Sequence, residues 1–125
     1  MLRPTFLKGR GIELVPLGRD DAATTWRWMN DLDIVLNYGS DPFPVTLQSQ
    51  QDYLAGLSSR KDSLMLGIRR KGHRELIGIG GLSHIEWVNQ RGELAICIGE
   101  HTEQGKGYGT EATRLILNHA FTRLN

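Results

Sequence analysis

The chain has 125 residues, 39% of them hydrophobic and 23% charged, which is the length and composition of one globular domain over residues 1–125. Its formal net charge of +1 excludes a global attraction to nucleic acid or to an anionic membrane, and no apolar run approaches the roughly 20 residues that cross a bilayer. With a single cysteine, Cys97, the chain has neither an internal disulfide nor a paired cysteine metal site, so we expect a cytoplasmic protein without a metal.

The N-terminal part is predicted to open with a strand and a helix. Residues 12–17 form the strand, which ends at the Pro-Leu-Gly sequence of residues 16–18. Asp20 and Asp21 open the helix, because carboxylates stabilise the positive N-terminal end, and the helix runs to about residue 29. Its apolar face is predicted to comprise Ala22, Trp26 and Met29.

Two further helices are predicted before the chain changes character. The first covers residues 32–38 and ends in a loop at 39–44, where two prolines and a glycine exclude regular structure. Thr46 is the expected N-cap of the second, because its hydroxyl can accept a hydrogen bond from a free N–H of the first turn. The apolar stripe of that helix consists of Leu47, Leu54 and Leu57.

Three strands are expected next, over residues 63–70, 75–85 and 93–98. In the second of them Ile77 and Ile79 are predicted to face opposite to Leu76 and Leu82. The same strand contains three glycines, which indicate a bulge or a close backbone approach: Gly78, Gly80 and Gly81.

The third strand is expected to return as a hairpin partner across the polar turn at 86–92. Because side chains alternate along a strand, its two faces can be assigned. One face is predicted to carry Leu94, Ile96 and Ile98, and the other Glu93, Ala95 and Cys97.

A glycine-rich loop at 104–109 precedes an amphipathic helix predicted from Thr110 to about Arg123. The sequence does not match the phosphate-binding loop of nucleotide triphosphatases. That pattern requires Gly at 100 and Ser or Thr at 107, where this chain has Glu100 and Gly107. A dinucleotide-binding fingerprint is weak, because its third glycine falls on Thr110 and an antiparallel strand precedes the loop.

A third pattern, Gln/Arg-x-x-Gly-x-Gly/Ala before a helix, is matched by Gln104, Gly107 and Gly109. Glycines let the backbone approach a pyrophosphate closely, and successive N–H groups then converge on the anion at the positive end of the following helix. Lys106 adds a point charge beside them. The alternative is a glycine-rich turn that binds no ligand.

The residues from Glu93 to Gly99 and from Glu103 to Gly109 resemble the acetyl-CoA motif of the GNAT superfamily of N-acetyltransferases. Upstream, residues 80–87 and the helix opening at 110–112 look more like the branch that acetylates ribosomal-protein N-termini, polyamines or antibiotics. The resemblance implies an α+β fold, with a mixed, mostly antiparallel sheet flanked by helices. It also implies that the fold is truncated after the helix that follows the pyrophosphate loop, since family members continue into another strand, a helix that carries a tyrosine acid, and a hairpin.

The resemblance also implies a ligand and a set of residues that bind it. Acetyl-CoA would be the cosubstrate, held by Ile96, Cys97, Ile98, Gln104, Gly105, Lys106, Gly107, Tyr108, Gly109 and Thr110. The backbone N–H of Cys97 or Ile98 would polarise the thioester carbonyl, and the cysteine side chain would only pack.

Two residues are candidates for the base that deprotonates the amine. Glu93 matches the catalytic glutamate of histone-acetylating members, and partial burial would raise its pKa towards the working pH; the alternative is a solvated glutamate at the hairpin edge. His84 is the second candidate, because an imidazole has a suitable pKa, although it shares a face with Leu82. His101 lies near the cofactor loop and would be able to touch the ligand.

The predicted activity is acetyl transfer to a primary amine by direct attack, the amine being a protein N-terminus, a polyamine or a small molecule. Four aromatic residues are candidates for the wall of the amine site or for plain core: Trp26, Trp28, Tyr38 and Phe43. The alternative function is a CoA-binding or interaction module that has lost catalysis. We expect a homodimer or completion by further residues, because a strand–loop–helix unit normally returns to a parallel strand.

Overall fold

The computed structural model describes residues 3–38 and 43–124. These residues form a five-stranded sheet in which every strand pairs antiparallel with its neighbours in the chain. The strands, in sheet order, are β1 (Leu7–Lys8), β2 (Ile12–Pro16), β3 (Leu64–Arg70), β4 (Leu76–Glu86) and β5 (Arg91–Ile98). Within the described sheet β5 therefore pairs with β4 alone, and its other edge is open.

Four helices cover the two faces of this sheet, which confirms the α+β class. They are α1 (Ala22–Met29), α2 (Leu32–Tyr38), α3 (Leu47–Gly56) and α4 (Tyr108–His119), and a π-helical turn, Ala120–Leu124, continues α4. Short 3₁₀ turns lie at Arg19–Asp21, Leu57–Ser59 and His101–Glu103. The last helix begins at Tyr108, two residues before the predicted Thr110. Most of the predicted loop at 39–44 lies outside the described residues.

One face of the sheet packs against α4. Its core cluster consists of Ile12, Leu14, Leu66, Ile68, Ile77, Ala112 and Ile116, with Ile96 and Ile98 packed against it. The predicted alternation of β5 is therefore confirmed, because Ile96 and Ile98 point to this face whereas Cys97 points to the other.

The opposite face packs against α1, α2 and α3. One of its clusters consists of Val15, Trp28, Ile34, Leu76, Ile79 and Cys97, and another of Ala22, Leu54, Leu57 and Met65. Two residues of the predicted α1 face, Ala22 and Met29, pack against the core, but Trp26 does not: it is 36% exposed, whereas Trp28 is 2% exposed. The reason is local, because the indole of Trp26 donates to the carbonyl of Val45 at 2.8 Å and stays at the surface.

The predicted bulge in β4 is confirmed. The pairing of β3 with β4 shifts register between Ile68 and Arg69, which lie opposite Gly78 and Leu76. The shift reverses the alternation on either side of it, so Ile77 and Ile79 belong to clusters on opposite faces, which corrects the prediction that they share one.

Capping fixes the start of α3 as predicted, because the Thr46 hydroxyl accepts from the N–H of Ser49 at 3.0 Å. Asp21 has a different role from the one expected. Its carboxylate accepts from the guanidinium of Arg3 at 2.6 and 2.7 Å and from the N–H of Gly18 at 2.9 Å, so it ties the N-terminal segment to the first helix. Leu47 is 36% exposed and lies at the margin of the α3 stripe.

None of the helices within residues 3–38 and 43–124 is both long and apolar enough to cross a membrane.

Candidate acyl-CoA site

The glycine loop follows the open-edged strand β5 and leads directly into α4. Gly105 and Gly107 have φ values of +77° and +84°, in the left-handed region that side chains other than glycine rarely adopt. Gly107 is the N-cap of α4, so the chain can turn sharply into the helix only at a residue that tolerates this conformation. Gly105 and Gly107 thus allow the turn into the helix, whereas Gly109 lies within α4.

The loop presents free backbone donors to solvent. The first bond within the helix start runs from the N–H of Glu111 to the carbonyl of Gly107 at 3.0 Å, so the N–H groups of residues 108–110 precede the helical ladder. No backbone carbonyl among the described residues accepts from the N–H groups of residues 105–110 outside that helix. These donors lie at the positive end of a 12-residue helix, an arrangement that binds anions.

A buried carboxylate joins the glycine loop to the sheet. The side chain of Glu103 is 9% exposed and contacts Lys106 Nζ and Arg70 Nη1, each at 3.4 Å. Arg70 ends β3, so Glu103 links the loop to the sheet. This role of Glu103 was not predicted, and its signal in the sequence is the three-residue spacing between Glu103 and Lys106.

The amide of Gln104 ties the loop to the end of β5. Its Nε2 donates to the carbonyl of Ile98 at 3.0 Å. The family pattern requires Gln or Arg at this position, and here the side chain fixes the distance between the edge strand and the glycines.

A pocket of about 200 Å³ opens at this end of the β5 edge. Its described lining consists of Ile34, Tyr38, Ile96, Cys97, Ile98 and Gln104. The structure therefore brings together the predicted binding residues of β5 with the first residue of the glycine loop. It adds Ile34 and Tyr38 from α2; Tyr38 was a candidate for the wall of the amine site, and Ile34 was not predicted.

Cys97 is 4% exposed and packs with Trp28 and Ile34. Burial, with a smaller effect of the negative charge of Asp31, raises the pKa of its thiol to about 12. A thiol with that pKa is almost wholly protonated at neutral pH and is a poor nucleophile. Packing is therefore the role that the structure supports for this side chain.

Glu93 and His84 contact each other away from the pocket. His84 Nδ1 lies 3.1 Å from Glu93 Oε2, and the two side chains are 72% and 73% exposed. His84 has a φ of +51° and lies at the register irregularity between Ser83 and Glu86. Glu93 is not partly buried as the argument for a base assumed; it is the solvated glutamate of the alternative.

The four aromatic candidates separate in the structure. Tyr38 lines the pocket, and burial raises the pKa of its phenol, which keeps it protonated. Trp28 is core, and its indole donates to Glu100 Oε2 at 2.7 Å. The indole of Trp26 donates a hydrogen bond to the carbonyl of Val45, just before α3, and Phe43 is 72% exposed.

His101 forms an ion pair that the sequence did not indicate. Its Nε2 lies 2.8 Å from Asp31 Oδ2, which joins the turn before the glycine loop to the residue before α2. The hydrogen bond raises the pKa of His101 and lowers that of Asp31. Neither residue is among the described residues that line the pocket.

The sequence matches one family model, described as an acetyltransferase (GNAT) domain, over residues 12–125. An uncharacterized N-acetyltransferase, p20, of Bacillus licheniformis is 27% identical over 110 residues, which cover 78% of this chain and 61% of that protein.

Solved structures are also similar. Spermidine N-acetyltransferase from Vibrio cholerae, in complex with CoA and spermine, superposes with a TM-score of 0.81 at 22% identity, over 92% of this chain and 66% of its own. The ribosomal L7/L12 alpha-N-protein acetyltransferase RimL gives 0.74 at 17% identity, over 98% and 66%. The chain thus spans 61% of the curated relative and 66% of each of these two structures.

Proposed function

Because the chain belongs to the acetyltransferase (GNAT) family, we propose that it transfers an acetyl group from acetyl-CoA to a primary amine. The observation that carries this proposal is the glycine loop at the open edge of β5. Two left-handed glycines, a row of unpaired N–H groups and a helix start form an anion site beside a narrow pocket. These residues fit a pyrophosphate joined to an extended pantetheine arm that carries the acyl group.

Each part of the site would bind a different part of acetyl-CoA. The N–H groups of residues 105–110 and the ammonium of Lys106 would bind the pyrophosphate. The backbone of Ile96, Cys97 and Ile98 would pair with the pantetheine arm, because the described sheet leaves this edge of β5 open. When bound, acetyl-CoA supplies an activated thioester.

The chain has to stabilise charge and accept a proton. The N–H of Cys97 or Ile98 would donate to the carbonyl oxygen as it gains negative charge, as oxyanion donors do. The amine has to lose its proton before or during attack. Glu93 and His84 are exposed, so either would take that proton through water and not from a desolvated position.

The acceptor is proposed only as a class. Neighbouring structures are named for spermidine and for a ribosomal protein N-terminus, both of which are amines. The carboxylates of Asp31 and Glu100 do not select among acceptors, because Asp31 pairs with His101 and Glu100 contacts Trp28 and Arg27. Polyamine, peptide N-terminus and small-molecule amine are the three acceptors to test.

The cofactor is tested by calorimetric titration with acetyl-CoA, NAD and ATP. Acetyl-CoA should bind and the other two should not. Gly107→Val should abolish binding, because valine is strained at φ +84° and its side chain blocks approach to the N–H groups. Gly18→Ala is the control, since nothing lies within 4 Å of its added carbon. Tight binding of acetyl-CoA by Gly107→Val would show that the site is elsewhere.

The reaction is tested by following CoA release with the three amine classes. Glu93→Gln should lower kcat with acetyl-CoA affinity unchanged if Glu93 accepts the proton. An unchanged pH–rate profile in Glu93→Gln would remove Glu93 from the mechanism and leave water or His84. Acetyl-CoA binding without turnover of any amine would favour the alternative, a CoA-binding module.

A further inference from the structure

The chain leaves β5 at Gly99, whose backbone lies directly against the indole ring of Trp28. A β-carbon on Gly99 would collide with three atoms of that ring, so the ring occupies the space that any other side chain would need. Trp28 is 2% exposed and belongs to a core cluster beneath the sheet. The direction in which the chain leaves β5 is therefore set by a ring that is fixed in the core.

Glu100, the next residue along the chain, contacts the same indole. Its Oε2 accepts from Trp28 Nε1 at 2.7 Å, and Arg27 Nη2 lies 3.6 Å from the same oxygen. The N–H groups of Gly99 and Glu100 both donate to the carbonyl of Ile77, at 2.8 and 3.3 Å. Two consecutive residues thus bind the end of β5 to α1 through the indole and to β4 through the backbone.

These three residues, Trp28, Gly99 and Glu100, form what we call the Trp28 clamp, and the glycine loop follows directly after it. Glu100 is the N-cap residue of the 3₁₀ turn that precedes the loop, and its carbonyl accepts from the N–H of Glu103 at 3.0 Å. The spacing between the β5 edge and the glycines therefore depends on the clamp and on this turn.

We propose that the Trp28 clamp is a positioning device for acyl-CoA, in which Trp28 and Glu100 hold the glycine loop at the spacing from the β5 edge that the ligand requires. This inference rests on the proposed function. A ligand that contacts both the loop and the strand edge binds tightly only if the two are already correctly spaced, because otherwise binding has to order the segment between them. The clamp acts through the backbone of residues 98–104 and has no need to touch the ligand.

The charge of Glu100 gives the proposal a test by sign. Its carboxylate lies in the turn before a loop that would bind a pyrophosphate, so on electrostatic grounds alone its removal should strengthen the binding of an anionic ligand. The Trp28 clamp predicts the opposite for Glu100→Ala, because that variant leaves the buried indole N–H without its acceptor. Glu100→Gln removes the charge but keeps a side-chain oxygen that can accept from the indole.

Calorimetric titration of acetyl-CoA into the wild type, Glu100→Ala and Glu100→Gln is the experiment. Glu100→Ala should weaken the affinity at least about fivefold, because the segment then has to be ordered on binding. Glu100→Gln should bind acetyl-CoA as tightly as the wild type or more tightly. Glu86→Ala is the matched control, because it removes a carboxylate that pairs with Arg91 at 3.0 Å on the β4–β5 hairpin, and it should leave the affinity unchanged.

Trp28→Phe tests the clamp from the core side, because it keeps an aromatic ring and removes the donor. Its effect on affinity should not add to that of Glu100→Ala in the double variant, since both remove the same hydrogen bond. Urea denaturation reports stability separately. Leu57→Ala truncates a buried residue of a different core cluster, so it should lower the free energy of unfolding and leave acetyl-CoA affinity unchanged.

The outcomes separate the inference from the proposed function. Equal or tighter binding of acetyl-CoA by Glu100→Ala would overturn the inference and leave the proposed function standing, as would an equal loss in Glu100→Ala and Glu100→Gln. The Glu100 side chain is 36% exposed, so its variants decide the question even if Trp28→Phe does not fold. Failure of the wild type to bind acetyl-CoA would refute the proposed function, and the inference with it.

Discussion

At the scale of single residues, the ion pair between His101 and Asp31 joins the two segments that flank the pocket. Asp31 precedes α2, which supplies the pocket wall, and His101 begins the 3₁₀ turn before the glycine loop. Both side chains are partly exposed, so the pair is screened by water and salt. It acts mainly on the relative position of these segments.

The contribution of this pair to the stability of the fold depends on pH. Its direction follows from the pKa shifts of His101 and Asp31. The pKa of His101 is raised from 6.5, so its share is complete below about pH 6.5 and is lost as the pH rises through the raised pKa. The pKa of Asp31 is lowered from 3.8, so its share is present above about pH 3.8 and is lost as the pH falls through the lowered value. The window of full stabilisation lies between these limits.

A double-mutant cycle of His101→Ala and Asp31→Ala measures the coupling. The coupling free energy should be favourable near pH 5.5 and should decline towards about pH 8.5, because His101 loses its charge. Thermal unfolding of the four proteins at both pH values gives the result. A coupling equal at the two values would show that the contact persists without the charge on His101.

Sequence alone predicted the backbone of the site better than its side chains. Gly107 and Gly109 were identified because a glycine has few reasons to recur before a helix except a turn or a close approach. Glu103 was missed, because burial of a carboxylate depends on Arg70, which lies 33 positions earlier in the chain. The exposure of Glu93 also depends on how the hairpin twists, which strand periodicity does not encode.

At the scale of elements, β4 is the strand whose geometry matters most for the site, because it positions β5. Its glycines allow close approach on both sides: a β-carbon on Gly78 would collide with the carbonyl of Cys97, and one on Gly81 with that of Leu64. Three consecutive strands therefore lie closer together there than side chains would allow.

Gly81→Ala should be strongly destabilising, by about 2 kcal/mol or more, because the added carbon meets backbone and not a flexible side chain. Gly18→Ala is matched to it, since that glycine has an extended backbone and open space around it, and its free energy of unfolding should change by less than about 0.5 kcal/mol. Urea denaturation of both variants makes the comparison. Equal midpoints would mean that β3 and β4 can separate without cost.

The strands were easier to predict than the faces of the elements. The alternation in β5 gave both of its faces correctly, because that strand is regular from residue 93 to residue 98. In β4 the alternation failed at the bulge, and in α1 Trp26 was assigned to the apolar face, where Trp28 is buried instead. In both cases a tertiary contact, with β3 or with Val45, decided between two local patterns. Strand β1 was missed because it has only two residues.

At the scale of the whole molecule, an apolar surface lies near the end of α4, apart from the residues that line the candidate site. A groove of about 370 Å³ lies between the β4–β5 hairpin and the last turns of the chain. Its lining includes Trp87, Leu117 and Phe121, which are 50%, 36% and 70% exposed. It also borders the hairpin that ends in the open-edged strand β5.

We predict that the chain self-associates through this surface, because an open strand edge beside exposed apolar side chains is a template for pairing. Light scattering over a range of concentrations should give masses above 14.0 kDa. Phe121→Glu should reduce the mass, whereas Phe43→Glu should not, because Phe43 is 72% exposed but lies outside the groove. A wild-type mass of 14.0 kDa at every concentration would contradict the prediction.

The carboxylate of Glu111 has a consequence for the order in which the molecule assembles. It accepts from the N–H of Gly11 at 3.0 and 3.2 Å and from that of Ile12 at 3.4 Å, across 100 residues of sequence. The first turn of α4 is therefore anchored by residues from the opposite end of the chain, and closing so long a loop is entropically costly. We therefore expect the glycine loop to be one of the last parts of the molecule to reach its final form, and pulsed hydrogen exchange that protected α4 before β2 would contradict this.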